Sequence, residues 1–213
     1  LEGKVNQTLT CDKVLVAAGR KPCTDGLGLD EAGVKLDETR RIAVDENYQT
    51  NIPNIYALGD LIHGPMLAHK AMDEGVVLVE KLAGEHPVVD YNLIPGVVYT
   101  HPEAASIGAT EEQLKEQETP YKVGRFPFMA SGRARAMDNV DGFVKVLANP
   151  ESGKLLGVHI IGPFASELIS EAVTVMAFDG SIEDIALTMH AHPTLSEAFK
   201  EAALGAFGKA VHA

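Results

Sequence analysis

Residues 190–197, His-Ala-His-Pro-Thr-Leu-Ser-Glu, contain the side chains of an acid–base pair at close spacing. Proline disfavours helical backbone at the preceding residue, so His192 is expected in extended backbone. Thr194 and Glu197 have capping-box spacing, which predicts Thr194 as the N-cap and Glu197 at the third position of a helix. A carboxylate there can accept a hydrogen bond from one ring nitrogen of His192 and leave the other as a proton acceptor. The segment therefore predicts a catalytic pair, His192 and Glu197.

Three other interpretations of this segment stay open. Glu197 could serve only the capping box, with His192 as an ordinary turn residue, because capping boxes are more common than catalytic pairs. His190 and His192 would share one face of an extended segment and could bind a metal, but no cysteine or further acidic ligand stands at zinc-like spacing nearby. We therefore expect no metal site. Ser196 or Ser166 could be a hydrolase nucleophile, but neither lies in a Gly-x-Ser-x-Gly turn.

A second group of residues follows a predicted buried strand at residues 54–58. Gly59 allows close approach of the backbone, and Asp60 can accept hydrogen bonds from the adjacent hydroxyls of a sugar-like chain. Pro65 is at a favoured first helical position, so the amides of residues 66–68 would form a helix start that attracts an electron-rich group. These features predict a ligand cradle. The alternative is an ordinary Gly-Asp turn followed by helix-start packing.

Composition limits the class of protein. The chain has 213 residues, 46% hydrophobic and 23% charged, which is typical of a soluble globular protein with one large domain or two ordinary ones. A net charge of −12 argues against partners such as nucleic acid or an anionic membrane. Cys11 and Cys23 form neither a disulfide framework nor a Cys-x-x-Cys loop, which suits a reducing compartment.

The first half of the chain is predicted to be α/β. A helix is expected from Met66 to about Leu82, ended by Gly84. Its apolar residues near one face are Met72, Val76, Val79 and Leu82. The predicted strands are residues 11–18, 42–44 and 54–58. A buried parallel strand at residues 11–18 needs neighbours that are not encoded upstream, so we expect the chain to be the latter part of a longer protein.

The second half is predicted to be α+β, with helices packed on one antiparallel sheet. Residues 149–153 have the composition of a hairpin turn, which favours antiparallel pairing of the strands on either side. Thr110 and Gln113 have capping-box spacing and predict a short helix after Thr110. The expected strands are residues 97–100, 121–126, 143–147 and 155–161. The expected helices are residues 111–116, 166–178, 182–188 and a last helix that includes residues 198–204.

Several motifs, in order along essentially the whole chain, resemble the flavin-dependent pyridine nucleotide-disulfide oxidoreductases. These motifs are residues 16–22, 56–60, 66–71, 99–103, 126–128 with 131–134, and 190–197. The Met-Leu-Ala-His stretch favours members that oxidise dihydrolipoyl groups over the glutathione and mercuric reductases. The resemblance implies a tail of the NAD-binding domain at residues 1–18 and a central FAD-binding segment at residues 19–93. It implies an α+β dimerisation domain at residues 94–213.

The resemblance also implies roles for the residues singled out above. Asp60 would hold the ribityl chain of FAD, and Gly19 would lie near the nicotinamide nucleotide, NAD. The residues that would line the flavin ring are Met66, Leu67, Ala68 and His69. His192, oriented by Glu197, would be the acid–base group for the substrate thiols and would reach the redox disulfide of the other subunit of a homodimer.

Three parts of the family pattern are absent from these 213 residues: the FAD phosphate loop, the Cys-x-x-x-x-Cys disulfide and the NAD fingerprint. Cys11 and Cys23 cannot replace the disulfide, because they lie outside any short loop on a helix. We therefore expect the parent enzyme to oxidise dihydrolipoyl groups with reduction of NAD⁺, and the isolated segment to be inactive. The alternatives are a non-catalytic dimerisation module and another disulfide reductase, such as glutathione reductase.

The partners implied by the resemblance are dihydrolipoyl groups of a 2-oxoacid dehydrogenase complex or of the glycine cleavage system. The implied compartment is a bacterial cytoplasm or the mitochondrial matrix. We expect no nucleic-acid partner and no membrane partner, because the chain is acidic and no apolar run approaches the roughly 20 residues needed to span a bilayer.

Overall fold

Residues 8–212 are described by a computed structural model, and the chain divides into two units, Leu1–Val89 and Asp90–Ala213. The first unit contains helices α1 (Leu29–Ala32) and α2 (Ala68–Leu82) and a 3-10 turn at Gly59–Leu61. Its buried apolar side chains are Val34, Ile42, Tyr48, Ala57, Ile62 and Val77. Within the described part of the chain, no helix has the length and apolar character needed to cross a membrane.

The predicted strands of the first unit are wrong. Residues 11–18 are exposed and have no strand geometry. Residues 42–44 and 54–58 each supply one residue to an isolated bridge, Ile42 and Tyr56 respectively. Apolar runs indicate burial, and Ile42 is indeed buried, but a strand also needs a neighbour for its N–H and C=O groups.

Helix α2 is confirmed, although it begins later than predicted. Leu67 is the N-cap in extended backbone, and the first intrahelical bond runs from the Ala71 N–H to the Leu67 C=O at 3.2 Å. The prediction that Pro65 begins the helix is therefore wrong. The helix ends as predicted: Gly84 has a φ of +94°, a conformation that glycine adopts without a Cβ clash.

The side of α2 that faces its own unit differs from the apolar face expected from sequence. The buried residues of α2 are Lys70, Glu74 and Val77. The exposed ones include the whole predicted apolar face, Met72, Val76, Val79 and Leu82. Periodicity identifies which residues share a face of a helix, but it does not identify the surface against which that face packs.

The second unit contains one five-stranded antiparallel sheet of order β1-β2-β5-β4-β3. The strands are β1 (Gly96–Val98), β2 (Glu103–Gly108), β3 (Lys122–Pro127), β4 (Phe143–Ala148) and β5 (Leu155–Gly162). Four of them confirm the predicted strands, and the β4–β5 hairpin confirms the predicted turn. Strand β2, Glu-Ala-Ala-Ser-Ile-Gly, was not predicted, because most of its residues are small and lack the β-branched character typical of strands.

Five helices complete the second unit: α3 (Glu111–Glu116), α4 (Gly132–Ala136), α5 (Ala165–Ala177), α6 (Ile182–Leu187) and α7 (Glu197–Ala206). All except α4 were predicted. The capping box of Thr110 and Gln113 is formed at the start of α3. Helix α7 comes very close to β3, since a Cβ on Gly124 would lie 1.9 Å from the Ala202 carbonyl oxygen. This contact fixes α7, and with it Glu197, against the sheet.

Candidate active site

His192 and Glu197 form a hydrogen-bonded pair at the start of α7. The distance between His192 Nδ1 and Glu197 Oε1 is 2.9 Å. The imidazole is 77% exposed, whereas the carboxylate is 27% exposed. Because a carboxylate oxygen accepts, Nδ1 carries the hydrogen in neutral His192 and Nε2 is the proton acceptor. The predicted pair is therefore brought together, with Nδ1 facing the glutamate and Nε2 left as the proton acceptor.

The second oxygen of Glu197 is used in a different contact. Glu197 Oε2 accepts the N–H of Thr194 at 2.8 Å, which is one half of the predicted capping box. The other half is absent at this position, because Thr194 Oγ1 donates to the Ala191 carbonyl at 2.7 Å and α7 starts at Glu197 with Ser196 as its N-cap. Glu197 thus caps the turn and orients His192 at the same time.

Two opposing effects act on the carboxyl group of Glu197. Burial raises its pKa, but the hydrogen bonds from the Thr194 N–H and from His192 lower it by more. As a result, the pKa of Glu197 is held below its ordinary value of 4.5. The side chain therefore stays a carboxylate at neutral pH and can stabilise a positive charge on His192.

The pair borders a pocket of about 50 Å³. The pocket residues are Phe126, Ala130, Ser131, Gly132, His192, Glu197, Glu201 and His212. Glu201, one turn after Glu197, accepts the N–H of Val211 at 2.9 Å and lies 2.8 Å from His212 Nδ1. Sequence reasoning missed this second His–Glu pair, although the i, i+4 spacing of the two glutamates shows that they share a face of α7.

His190 is held separately from His192. Its Nε2 lies 2.7 Å from Glu171 Oε1, its Nδ1 lies 3.0 Å from the Thr188 carbonyl oxygen, and its side chain is 5% exposed. Lys200 Nζ donates to the same carbonyl at 2.7 Å. These contacts hold the loop before His192 against α5 and α7.

Within residues 8–212, no cluster of three His, Cys, Asp or Glu side chains could hold a metal ion.

Among residues 90–212, neither serine considered as a nucleophile has a hydrogen bond to a histidine. The Ser196 hydroxyl lies 3.0 Å from Thr194 Oγ1, and the Ser166 N–H donates to Glu103 Oε2 at 2.9 Å. Cys11 and Cys23 are exposed free thiols. Of the catalytic arrangements considered for this segment, the described residues form the hydrogen-bonded pair of His192 and Glu197.

In the first unit, Asp60 lies in the 3-10 turn that was predicted as the ligand cradle. Gly59 has a φ of +69°, and a Cβ there would lie 2.9 Å from the Ala71 Cβ, so the backbone approaches α2 closely. The Asp60 carboxylate is 45% exposed, and its Oδ2 lies 3.8 Å from Arg20 Nη1. Gly19, next to Arg20, is exposed in irregular backbone. A half-exposed carboxylate of this kind can accept hydrogen bonds from ligand hydroxyls.

The other residues of the predicted ligand cradle, residues 66–69, lie at the start of α2 or just before it. Met66 and Leu67 are half-buried and precede α2, whereas Ala68 and His69 are exposed in its first turn. The Leu67 N–H donates to the Pro65 carbonyl at 3.1 Å. The prediction that the amides of Met66 and Leu67 belong to a helix start is therefore wrong, since both residues precede the helix.

Comparison with known proteins assigns the family. Residues 94–203 match the sequence model of the pyridine nucleotide-disulphide oxidoreductase dimerisation domain, and residues 1–75 match that of the pyridine nucleotide-disulphide oxidoreductases. The chain belongs to this family. In family terms, the pair at His192 lies in the dimerisation domain, and the Asp60 turn lies in the other matched domain.

Curated relatives within the family are dihydrolipoyl dehydrogenases. The chain is 56% identical over 211 residues to mitochondrial dihydrolipoyl dehydrogenase 1 of Arabidopsis thaliana, which covers 99% of this chain and 42% of that protein. It is 53% identical over 207 residues to the mitochondrial enzyme of Homo sapiens, which covers 97% of this chain and 41% of that protein. The chain thus spans about 42% of the length of the curated family members it matches.

Two solved structures are similar in fold to this chain. LpdA of Mycobacterium tuberculosis superimposes with a TM-score of 0.80 at 28% identity, over 86% of this chain and 40% of that one. The HOCl-induced flavoprotein disulfide reductase RclA of Escherichia coli superimposes with a TM-score of 0.81 at 26% identity, over 88% of this chain and 43% of that one.

Proposed function

We propose that this chain is the C-terminal part of a flavin-dependent dihydrolipoyl dehydrogenase, which oxidises dihydrolipoyl groups to the disulfide and reduces NAD⁺. The observation that carries the proposal is the 2.9 Å contact of His192 with Glu197, in a chain 56% identical to a dihydrolipoyl dehydrogenase. The isolated segment is proposed to be inactive, because the redox disulfide of the family is not among its residues.

His192 acts as the acid–base group for the thiols. The thiolate is the nucleophile in disulfide exchange, so the reaction begins when His192 Nε2 takes the proton of a dihydrolipoyl thiol. Glu197 keeps the Nδ1 hydrogen in place and balances the positive charge that His192 gains. The 77% exposure of the imidazole leaves Nε2 accessible to a substrate or a second subunit from outside this chain.

The first unit offers residues that fit FAD. Asp60 presents a half-exposed carboxylate to the hydroxyls of the ribityl chain, beside a glycine turn too tight for a Cβ. The residues proposed to hold the flavin ring are Met66, Leu67, Ala68 and His69. Gly19, in the segment joined to Asp60 through Arg20, is proposed to lie near NAD. When bound, the flavin supplies the electron transfer between thiols and nicotinamide.

We propose three domain assignments: residues 1–18 as the tail of the NAD-binding domain, 19–93 as the flavin-binding segment and 94–213 as the dimerisation domain. The dimerisation-domain match of residues 94–203 supports a homodimer. The names of the relatives support the mitochondrial matrix over a bacterial cytoplasm. The proposed partners are dihydrolipoyl groups of a 2-oxoacid dehydrogenase complex or the glycine cleavage system.

The proposal is tested by His192→Gln in a full-length chain that carries these 213 residues. Oxidation of dihydrolipoamide with NAD⁺ is expected to fall by about 10²–10⁴-fold, the usual contribution of a general base. The exposed His86→Gln is the matched control and should leave turnover unchanged. Near-normal turnover of His192→Gln would refute the role of the pair. Faster reduction of oxidised glutathione than oxidation of dihydrolipoamide would instead indicate another disulfide reductase.

The isolated 213-residue chain tests the proposed homodimer and the proposed inactivity of the segment; a monomer, or turnover of dihydrolipoamide by this chain alone, would contradict them. Light scattering measures its oligomeric state, and visible absorbance after mixing with FAD measures retained flavin. A dimer that retains no flavin and has no activity is expected. Such a result agrees with the proposal for the segment, while the full-length variant series above decides the activity.

A further inference from the structure

A fully buried ion pair connects α2 to the Gly59–Asp60 turn. Lys70 and Glu74, one helical turn apart, have side chains that are 0% exposed, and Lys70 Nζ lies 2.9 Å from Glu74 Oε1. Removing two charges from water is costly, and a buried pair often contributes little net stability compared with apolar side chains of similar volume. A contribution to stability therefore does not by itself explain why two charged side chains are buried here.

The pair binds both polar groups of one backbone residue. Glu74 Oε2 accepts the Gly59 N–H at 2.7 Å, and Lys70 Nζ donates to the Gly59 carbonyl at 3.0 Å. The Gly59 carbonyl belongs to the peptide that leads into Asp60. Its orientation, and so the direction in which the Asp60 side chain leaves the backbone, is set by charge-assisted hydrogen bonds, which are stronger than neutral ones.

The methylene chain of Lys70 also packs against the turn at Gly64, which precedes the predicted flavin-lining residues 66–69. A Cβ on Gly64, whose φ is +94°, would lie 2.8 Å from Lys70 Cε, so this turn is packed directly on the lysine side chain. Arg41 Nη1 also donates to the Gly64 carbonyl, at 3.0 Å. Lys70 is therefore in contact with the turn before Asp60 and with the turn before residues 66–69.

We propose that Lys70 and Glu74 are positioning residues of the flavin site, which hold Asp60 and residues 66–69 in the geometry that binds FAD. This inference rests on the proposed function. Neither side chain is exposed, so neither touches the flavin: Glu74 acts through the backbone of Gly59, and Lys70 acts through the backbone of Gly59 and the turn at Gly64. The sequence signal is a Lys and a Glu at i, i+4 on the helix that follows the cradle.

The test measures FAD affinity in a full-length chain that carries these 213 residues. Lys70→Met alone leaves a buried unpaired carboxylate, so the informative variant is the double change Lys70→Met with Glu74→Leu, which removes both charges. Circular dichroism checks the fold, and flavin fluorescence measures the dissociation constant. A folded double variant with affinity weakened about tenfold or more is expected. Asp73→Asn, an exposed change on the same helix, should stay within roughly twofold of the unaltered chain.

Asp60→Ala in the same chain distinguishes failure of this inference from failure of the proposed function. If Asp60→Ala leaves FAD affinity unchanged, the proposed flavin site is wrong and the inference falls with it. If Asp60→Ala weakens binding while the folded double variant binds FAD normally, the positioning role alone is overturned. A double variant that does not fold also counts against the role, because the pair would then act in folding.

Discussion

Glu197 contacts His192 through one carboxylate oxygen and the Thr194 amide through the other, at 2.9 Å and 2.8 Å. The same residue therefore fixes the turn before α7 and the tautomer of the imidazole. Since α7 is packed against β3, the position of His192 depends on the sheet as well as on its own loop.

The tautomer of His192 depends on Glu197. In the 213-residue chain, neutral His192 is expected to carry its hydrogen on Nδ1, because the carboxylate accepts from that nitrogen. Glu197→Ala should remove this preference and cost about 0.5–1.5 kcal/mol of unfolding free energy through the lost hydrogen bond from the Thr194 N–H. Imidazole ¹⁵N chemical shifts report the tautomer, with the exposed Glu183→Ala as the control. Identical ¹⁵N shifts in Glu197→Ala would contradict the orienting role.

The contact between His190 and Glu171 is expected to contribute to stability. Glu171→Gln replaces a charge-assisted hydrogen bond by a neutral one, and Glu171 remains 34% exposed, so we expect a loss of about 1 kcal/mol. Urea unfolding of the 213-residue chain measures it, with the exposed Glu116→Gln as the matched control. Equal losses in both variants would show that the pair has no specific effect.

The contact between β3 and α7 requires glycine at position 124. Gly124→Ala would place a Cβ 1.9 Å from the Ala202 carbonyl oxygen, so a loss of about 3 kcal/mol or more is expected as strand and helix separate. Gly132→Ala adds the same methyl group where nothing lies within 4 Å, inside α4, and should be neutral or slightly stabilising. Thermal unfolding of both variants distinguishes close packing from a general effect of glycine removal.

His159 makes stability depend on pH. Both of its ring nitrogens are buried without a hydrogen-bond partner among the described residues, and burial, followed by the charge of Lys145, lowers the pKa of His159 from its ordinary value of 6.5. The unfolded chain therefore takes up a proton near pH 6.5 while the folded chain does so only at lower pH. The unfolding free energy should accordingly fall as the pH drops below about 6.5.

His159→Leu tests this dependence. At about pH 7 the variant should be as stable as the unaltered chain or more stable by up to about 1 kcal/mol, because an unpartnered polar group is removed. At about pH 5 its advantage should be larger, since it lacks the group that titrates. Urea unfolding at the two pH values measures the difference. A pH dependence unchanged by the substitution would show that another group is responsible.

Local chemistry was enough to predict most of the second unit. Capping residues around Thr110, the turn at residues 149–153 and the periodicity of α5 are signals carried by neighbours in the chain, and each predicted element is present. The His192–Glu197 pair belongs to the same class, because its two residues are five positions apart and the helix start brings them together. Strand β2 was not predicted, because its small residues do not favour a strand by themselves. Its hydrogen bonds to β1 and β5 hold it in strand geometry.

What the sequence alone determined is the set of interactions between residues close along the chain: the capping box at Thr110, the hairpin and the oriented histidine. Tertiary structure decided the rest, because it depends on which surfaces meet. It buried Lys70 and Glu74, exposed the apolar face of α2, kept residues 11–18 out of strand geometry, and joined His190 to Glu171 and His212 to Glu201. Burial and long-range hydrogen bonds of this kind depend on packing between distant segments, which no local pattern of residues specifies.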